Sequence, residues 1–72
     1  MTNEAFYNKI RNIAPGVIAP GVFVELMILA GRVGEDAEDR HCHADLLLCE
    51  ALKRLGYGDG VAAYDAIPKW YS

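Results

Sequence analysis

The sequence predicts an all-α fold, with three to four helices arranged around one long central helix at about residues 35–55. Three observations predict it. Apolar residues recur at helical spacing through most of the chain. Glu35, Asp36, Glu38 and Asp39 crowd the start of the long segment, and Lys53 and Arg54 close it, which is the charge order that suits a helix dipole. Pro-Gly pairs and single glycines, at Pro15-Gly16, Gly34 and Gly56, punctuate the segments where helices should stop.

Residues 3–13 read as a short helix that Asn3 can cap, with Phe6, Ile10 and Ile13 on one face. A small tandem repeat follows, Ala14-Pro15-Gly16-Val17-Ile18 and then Ala19-Pro20-Gly21-Val22-Phe23. Two five-residue units are too few for a repeat architecture, so they read as consecutive Pro-Gly turns with apolar residues tucked inward. A second helix is expected over 21–33, with Pro20 near its first turn. Val22, Phe23, Leu26, Met27, Ala30 and Val33 form its apolar face, and Gly31 and Gly34 weaken its end. After the long helix, Gly56-Tyr57-Gly58-Asp59-Gly60 is a turn, and Asp59 can cap a last helix at about 60–67 that Pro68 ends. Lys69-Trp70-Tyr71 then forms an aromatic tail, expected to fold back on the core.

The long helix carries more than one apolar face. At 100° per residue, Ala37, Ala44, Leu48, Ala51 and Leu55 fall within an arc of about 60°, flanked by Leu47 and Leu52. Alanines spaced by seven let a neighbouring helix come close. Cys42, Leu46 and Cys49 cluster on nearly the opposite side. With 72 residues in all, read as one domain over 1–72, there is little chain to cover both faces. The expectation is therefore a homo-oligomer, with a dimer favoured and with Ala44, Cys42, Leu46 and Cys49 at the interface.

Charge and cysteine usage narrow the function classes. The formal net charge is −3 and no basic run exists, so the footprint of a nucleic-acid binder is missing. Cys42 and Cys49 lie roughly 10 Å apart along one helix, too far to bridge each other. Free thiols suit a reducing cytoplasm. The apolar stretch 13–30 reaches the lower limit for a membrane span, but Pro15, Gly16, Pro20, Gly21 and Glu25 interrupt it. No secretory leader layout is visible at the start of the sequence.

Candidate chemistry gathers on one ridge. His41, Asp45 and Cys49 recur at i, i+4, i+8. His and Cys at that spacing can hold zinc, but a closed site needs four ligands, and His43 lies about 200° from His41 around the helix. The simpler reading is that Asp45 accepts a hydrogen bond from His41 and orients it. Glu25 stands in an otherwise apolar segment and either faces outward or needs a partner such as Arg40 or His41. No phosphate loop, nucleophile elbow or Cys-x-x-Cys occurs, so no metal or cofactor is expected.

The stretch Arg40-His41-Cys42-His43-Ala44-Asp45-Leu46-Leu47-Leu48, the turn Leu55-Gly56-Tyr57 and the tail Lys69-Trp70-Tyr71 resemble small helical proteins of bacteriophages and prophages. The resemblance covers roughly the C-terminal half. It implies a setting, a bacterial host cytoplasm, and makes Arg40, His41, Asp45, Lys69 and Trp70 candidates for a shared role. Together these features favour a non-enzymatic interaction protein that binds a host or phage protein, for example as an inhibitor of a host defence system. Two alternatives stay open. One is a nucleotide binder at an oligomer interface, where Arg40, His41, Trp70 and Tyr71 supply charge and stacking. The other is a metal-dependent nucleotide pyrophosphatase of the all-helical MazG type. Glu35-x-x-Glu38 is similar to the first carboxylate element of that family, but Cys42 stands three residues before Asp45 where the second element has a glutamate.

Overall fold

The computed structural model of the chain describes residues 1–68. Among them it is all-helical: α1 (Asn3–Arg11), α2 (Pro20–Ala30), α3 (Ala37–Arg54) and α4 (Gly58–Asp65). The longest helix, α3, packs against each of the other three. None of the helices is long and apolar enough to cross a membrane. The aromatic tail expected to fold back lies outside the described residues.

Local chemistry sets the helix starts. Thr2, not Asn3, caps α1, because its backbone is extended and its hydroxyl accepts the Ala5 N–H at 3.0 Å. Pro20 opens α2, where its missing N–H costs nothing. Asp36 caps α3 by accepting the Asp39 N–H at 2.9 Å, and the Asp39 carboxylate accepts the Glu35 N–H at 3.3 Å. Gly34 makes that arrangement possible. It has φ +113°, and a Cβ there would lie 2.6 Å from Cβ of Asp39. Arg40 donates to the Gly34 carbonyl at 3.3 Å, tying the loop to the first turn of α3. The last helix starts at Gly58, two residues before the expected start, and has no side-chain cap from Asp59 or from Tyr57.

The core is small. Phe6 and Ile10 of α1, Ala30 of α2, Val33 of the following loop and Leu47 of α3 are buried together. His43 joins them with no exposed surface. Its ring lies 4.8 Å from that of Phe6 and 5.4 Å from that of Tyr7, centre to centre. Its Nδ1 is 2.9 Å from the Val33 carbonyl oxygen. A carbonyl only accepts, so Nδ1 carries a proton and donates it to Val33. Nε2 is buried and has no hydrogen-bond partner among the described residues.

This burial turns α3 away from the expected orientation. Of the predicted stripe, Ala44 and Ala51 are half-buried, while Ala37, Leu48 and Leu55 are exposed. The inward face instead centres on His43 and Leu47, with Glu50 and Arg54 in the same arc of about 60°. Three of these four residues are polar, so counting apolar positions locates a neighbouring face. Among the expected interface residues, Cys49 is buried and Ala44 packs against the chain's own core. Cys42 and Leu46 remain exposed.

Arg54 fastens the remaining piece. Its Nε pairs with Glu50 at 2.9 Å, one turn earlier. Its Nη2 donates to the Ile13 carbonyl at 3.2 Å, and its Nη1 donates to the carbonyls of Ala14 and, at 3.4 Å, Gly16. One planar guanidinium thus collects the end of α1 and the first Pro-Gly turn against the last turn of α3. A lysine, with donors radiating from a single nitrogen, cannot span that set. Hydrogen bonds from charged donors contribute about 1.5–3 kcal/mol each, so Arg54→Ala is expected to lower stability by about 2–4 kcal/mol overall. Chemical denaturation measures the loss. Hydrogen exchange should show faster opening of residues 12–18 before any change in α4.

Candidate functional site

An apolar concavity lies between α3 and α4. Leaving α3, the chain turns at Gly56, whose φ of +97° lets α4 fold back over the outer side of α3. Backbone hydrogen bonds from Gly56 to Lys53 and from Tyr57 to Leu52 close the turn. The result is a cleft of about 310 Å³, walled by Leu48, Cys49 and Leu52 on one side and by Tyr57, Val61 and Tyr64 on the other. Cys49 and Val61 are buried at its floor. The three wall residues of the α4 side recur at i, i+4, i+7, so α4 presents one face to the cleft.

Asp45 stands at the edge of this cleft and accepts a hydrogen bond from the Tyr64 hydroxyl at 3.1 Å. The donor is therefore Tyr64 rather than His41, which is exposed. Because this bond links positions 19 residues apart, it fixes where α4 sits rather than orienting a catalytic base. Arg40 faces the Gly34 carbonyl at the other side of the helix start. The structure thus does not gather Arg40, His41 and Asp45 into one site. Lys69, Trp70 and Tyr71, the other three candidates, lie outside the described residues.

The acidic side chains are equally dispersed. Glu35 and Glu38 are exposed at the start of α3, Asp45 is two turns further on, and Glu25 is exposed on α2 beside Lys9 of α1. Among the described residues no three His, Cys, Asp or Glu side chains are placed to hold a metal ion.

A second, more open groove of about 570 Å³ runs between α1 and α3. Tyr7, Ile10 and Arg11 line it opposite Cys42, Leu46 and Glu50. The Cys42 thiol is held above its usual pKa, first by desolvation and then by the negative charges of Glu38, Asp45, Asp39 and Asp36. It is a poor nucleophile at neutral pH despite its exposure.

Sequence reasoning missed Tyr57, Val61 and Tyr64 as one face. The signal was present, since their spacing is helical once Gly56 is read as the stop and α4 is started at Gly58. No family model, curated protein or solved structure matches the chain.

The two thiols give a direct check of this geometry. Alkylation of Cys42 is expected to be slow at neutral pH, to rise as pH passes the ordinary thiol range, and to quicken with salt that screens the four carboxylates. Cys49 is expected to stay protected until the protein is unfolded. Mass spectrometry of timed alkylation distinguishes the two positions.

Proposed function

We propose that this chain is a small non-enzymatic interaction protein that self-associates and binds a partner protein through apolar helix faces. The observation that carries the proposal is the surface of α2. The helix runs Pro20-Gly21-Val22-Phe23-Val24-Glu25-Leu26-Met27-Ile28-Leu29-Ala30, apolar on almost every side. A helix of that kind belongs in an interior. Here Phe23, Leu26 and Met27 pack on the core, while Val22, Val24 and Ile28 are exposed by 41%, 54% and 53%. Leu48, Leu52 and Leu55 form a second exposed column on α3. Contiguous apolar surface on a small protein marks contact sites for other proteins.

The setting rests on the resemblance of the C-terminal half to small phage and prophage proteins. In that setting the chain acts in a bacterial cytoplasm, and its target is a host protein whose action it blocks by occupying a surface. Self-association comes first in this reading, because it covers the apolar surface without any other component.

A second reading, a small-ligand binder, has the α3–α4 cleft in its favour. Its volume lies at the lower end of ligand sites. Its apolar walls suit a hydrophobic molecule or a base better than a phosphate. A thermal-shift screen with nucleotides, cyclic nucleotides and apolar small molecules tests it, and flat melting temperatures remove it.

Sedimentation velocity across the low to high micromolar range tests the main reading. A reversible shift from monomer to dimer is expected. A clean monomer throughout would contradict self-association.

A further inference from the structure

The outward face of α2 has a pattern that specifies how a second copy would sit on it; this inference rests on the self-association proposed above. Gly21, Val24, Ile28 and Gly31 follow a 3-4-3 spacing, the spacing of the seam between two paired helices. At 100° per residue the four lie within an arc of about 80°. Val24 and Ile28 are more than half exposed, and nothing lies within 4 Å of a Cβ built on Gly21. The seam is also symmetric in size about the level of Leu26, with small residues at both ends and large ones between. An antiparallel copy therefore sets Val24 level with the partner's Ile28, and Gly21 level with the partner's Gly31. At those ends the missing side chains let the two backbones approach.

Two charges fix the direction. Glu25 and Arg32 each follow a seam residue by one position, so they flank the same rim. Arg32 lies just past the helix and is held on its last turn by its N–H to the Leu29 carbonyl at 2.9 Å. Both side chains are exposed, and neither makes a hydrogen bond or ion pair among the described residues. They are seven residues apart, roughly 10 Å along α2, so they do not meet within one chain. Glu25 shares a shallow groove with Lys9 of α1 but makes no ion pair with it.

Across a seam the outcome depends on orientation. In a parallel pair the rim that carries Glu25 and Arg32 would lie against the partner's opposite rim, so the two charges would not meet. In the antiparallel pair, Glu25 and the partner's Arg32 start about 7–8 Å apart in level along the axis. Helix side chains lean toward their own N-terminus, so these two lean toward each other and close that gap. We infer that a second copy of this chain docks antiparallel on the Gly21, Val24, Ile28 and Gly31 face of α2, with each Glu25 paired to the partner's Arg32.

The test is sedimentation velocity on the whole chain, comparing the native sequence with Glu25→Arg, Arg32→Glu, the double reversal and Ile28→Lys. Circular dichroism checks that each variant remains folded, as expected for exposed positions. Each single reversal should raise the dimer dissociation constant about tenfold, since two symmetric pairs become repulsive. The double reversal should return close to the native value, and Ile28→Lys should give a monomer. A native dimer that none of these changes weakens would leave self-association standing and overturn this interface. Single reversals that weaken the dimer without recovery in the double would overturn the antiparallel pairing. A native monomer would overturn both.

Discussion

The arrangement of the first two helices depends on a single guanidinium. The connection between α1 and α2, residues 12–19, carries one Pro-Gly pair and no helix of its own, so helical hydrogen bonds do not set its path. Arg54 supplies that path by taking the carbonyls of Ile13, Ala14 and Gly16 while it is braced by Glu50. The doubled Ala-Pro-Gly-Val segment is thus not a repeat with its own architecture. Its first copy is a turn gripped by α3, and its second is the start of α2, with Pro20 in the first turn. With that turn held, α1 can lay Phe6 and Ile10 against His43 and Leu47, and Ala30 and Val33 can close the other side.

What this core does not hold is as informative as what it does. Among the described residues eight hydrophobic side chains are buried, whereas twelve large ones are exposed. The most apolar helix, α2, is covered on one side only. A chain this short gains little from its own interior, and covering α2 would add burial without adding chain. The proposed antiparallel pairing also accounts for Glu25, a charge in an apolar segment that is neither buried nor paired. On an isolated monomer it is an interruption; on the rim of a two-helix seam it becomes the residue that sets direction.

Much of the fold was legible in the sequence. The four helices, the Pro20 start, the Gly56 stop and the dipole-matched charges of α3 all follow from local chemistry, which acts on neighbours in the chain. The inward face of α3 was not legible, because His43 and Arg54 occupy core-facing positions. A histidine is counted as polar, yet its donor serves the Val33 carbonyl and its ring packs on Phe6 and Tyr7. An arginine in a last turn looks like a dipole complement, yet the three carbonyls it holds lie 38 to 41 residues away. The same limit applied to the site. Asp45 is four residues from His41 but takes its hydrogen bond from Tyr64, a choice that depends on how α4 folds back.

In the proposed dimer the uncovered side of α2 is the surface by which two copies meet. Isotope-filtered nuclear Overhauser spectra of a mixed sample, half labelled and half unlabelled, report contacts between chains alone. Intermolecular contacts are expected between the methyl groups of Val24 and those of Ile28, centred on the level of Leu26. Intermolecular contacts confined to Leu46 and its neighbours on α3, or to the cleft between α3 and α4, would contradict it.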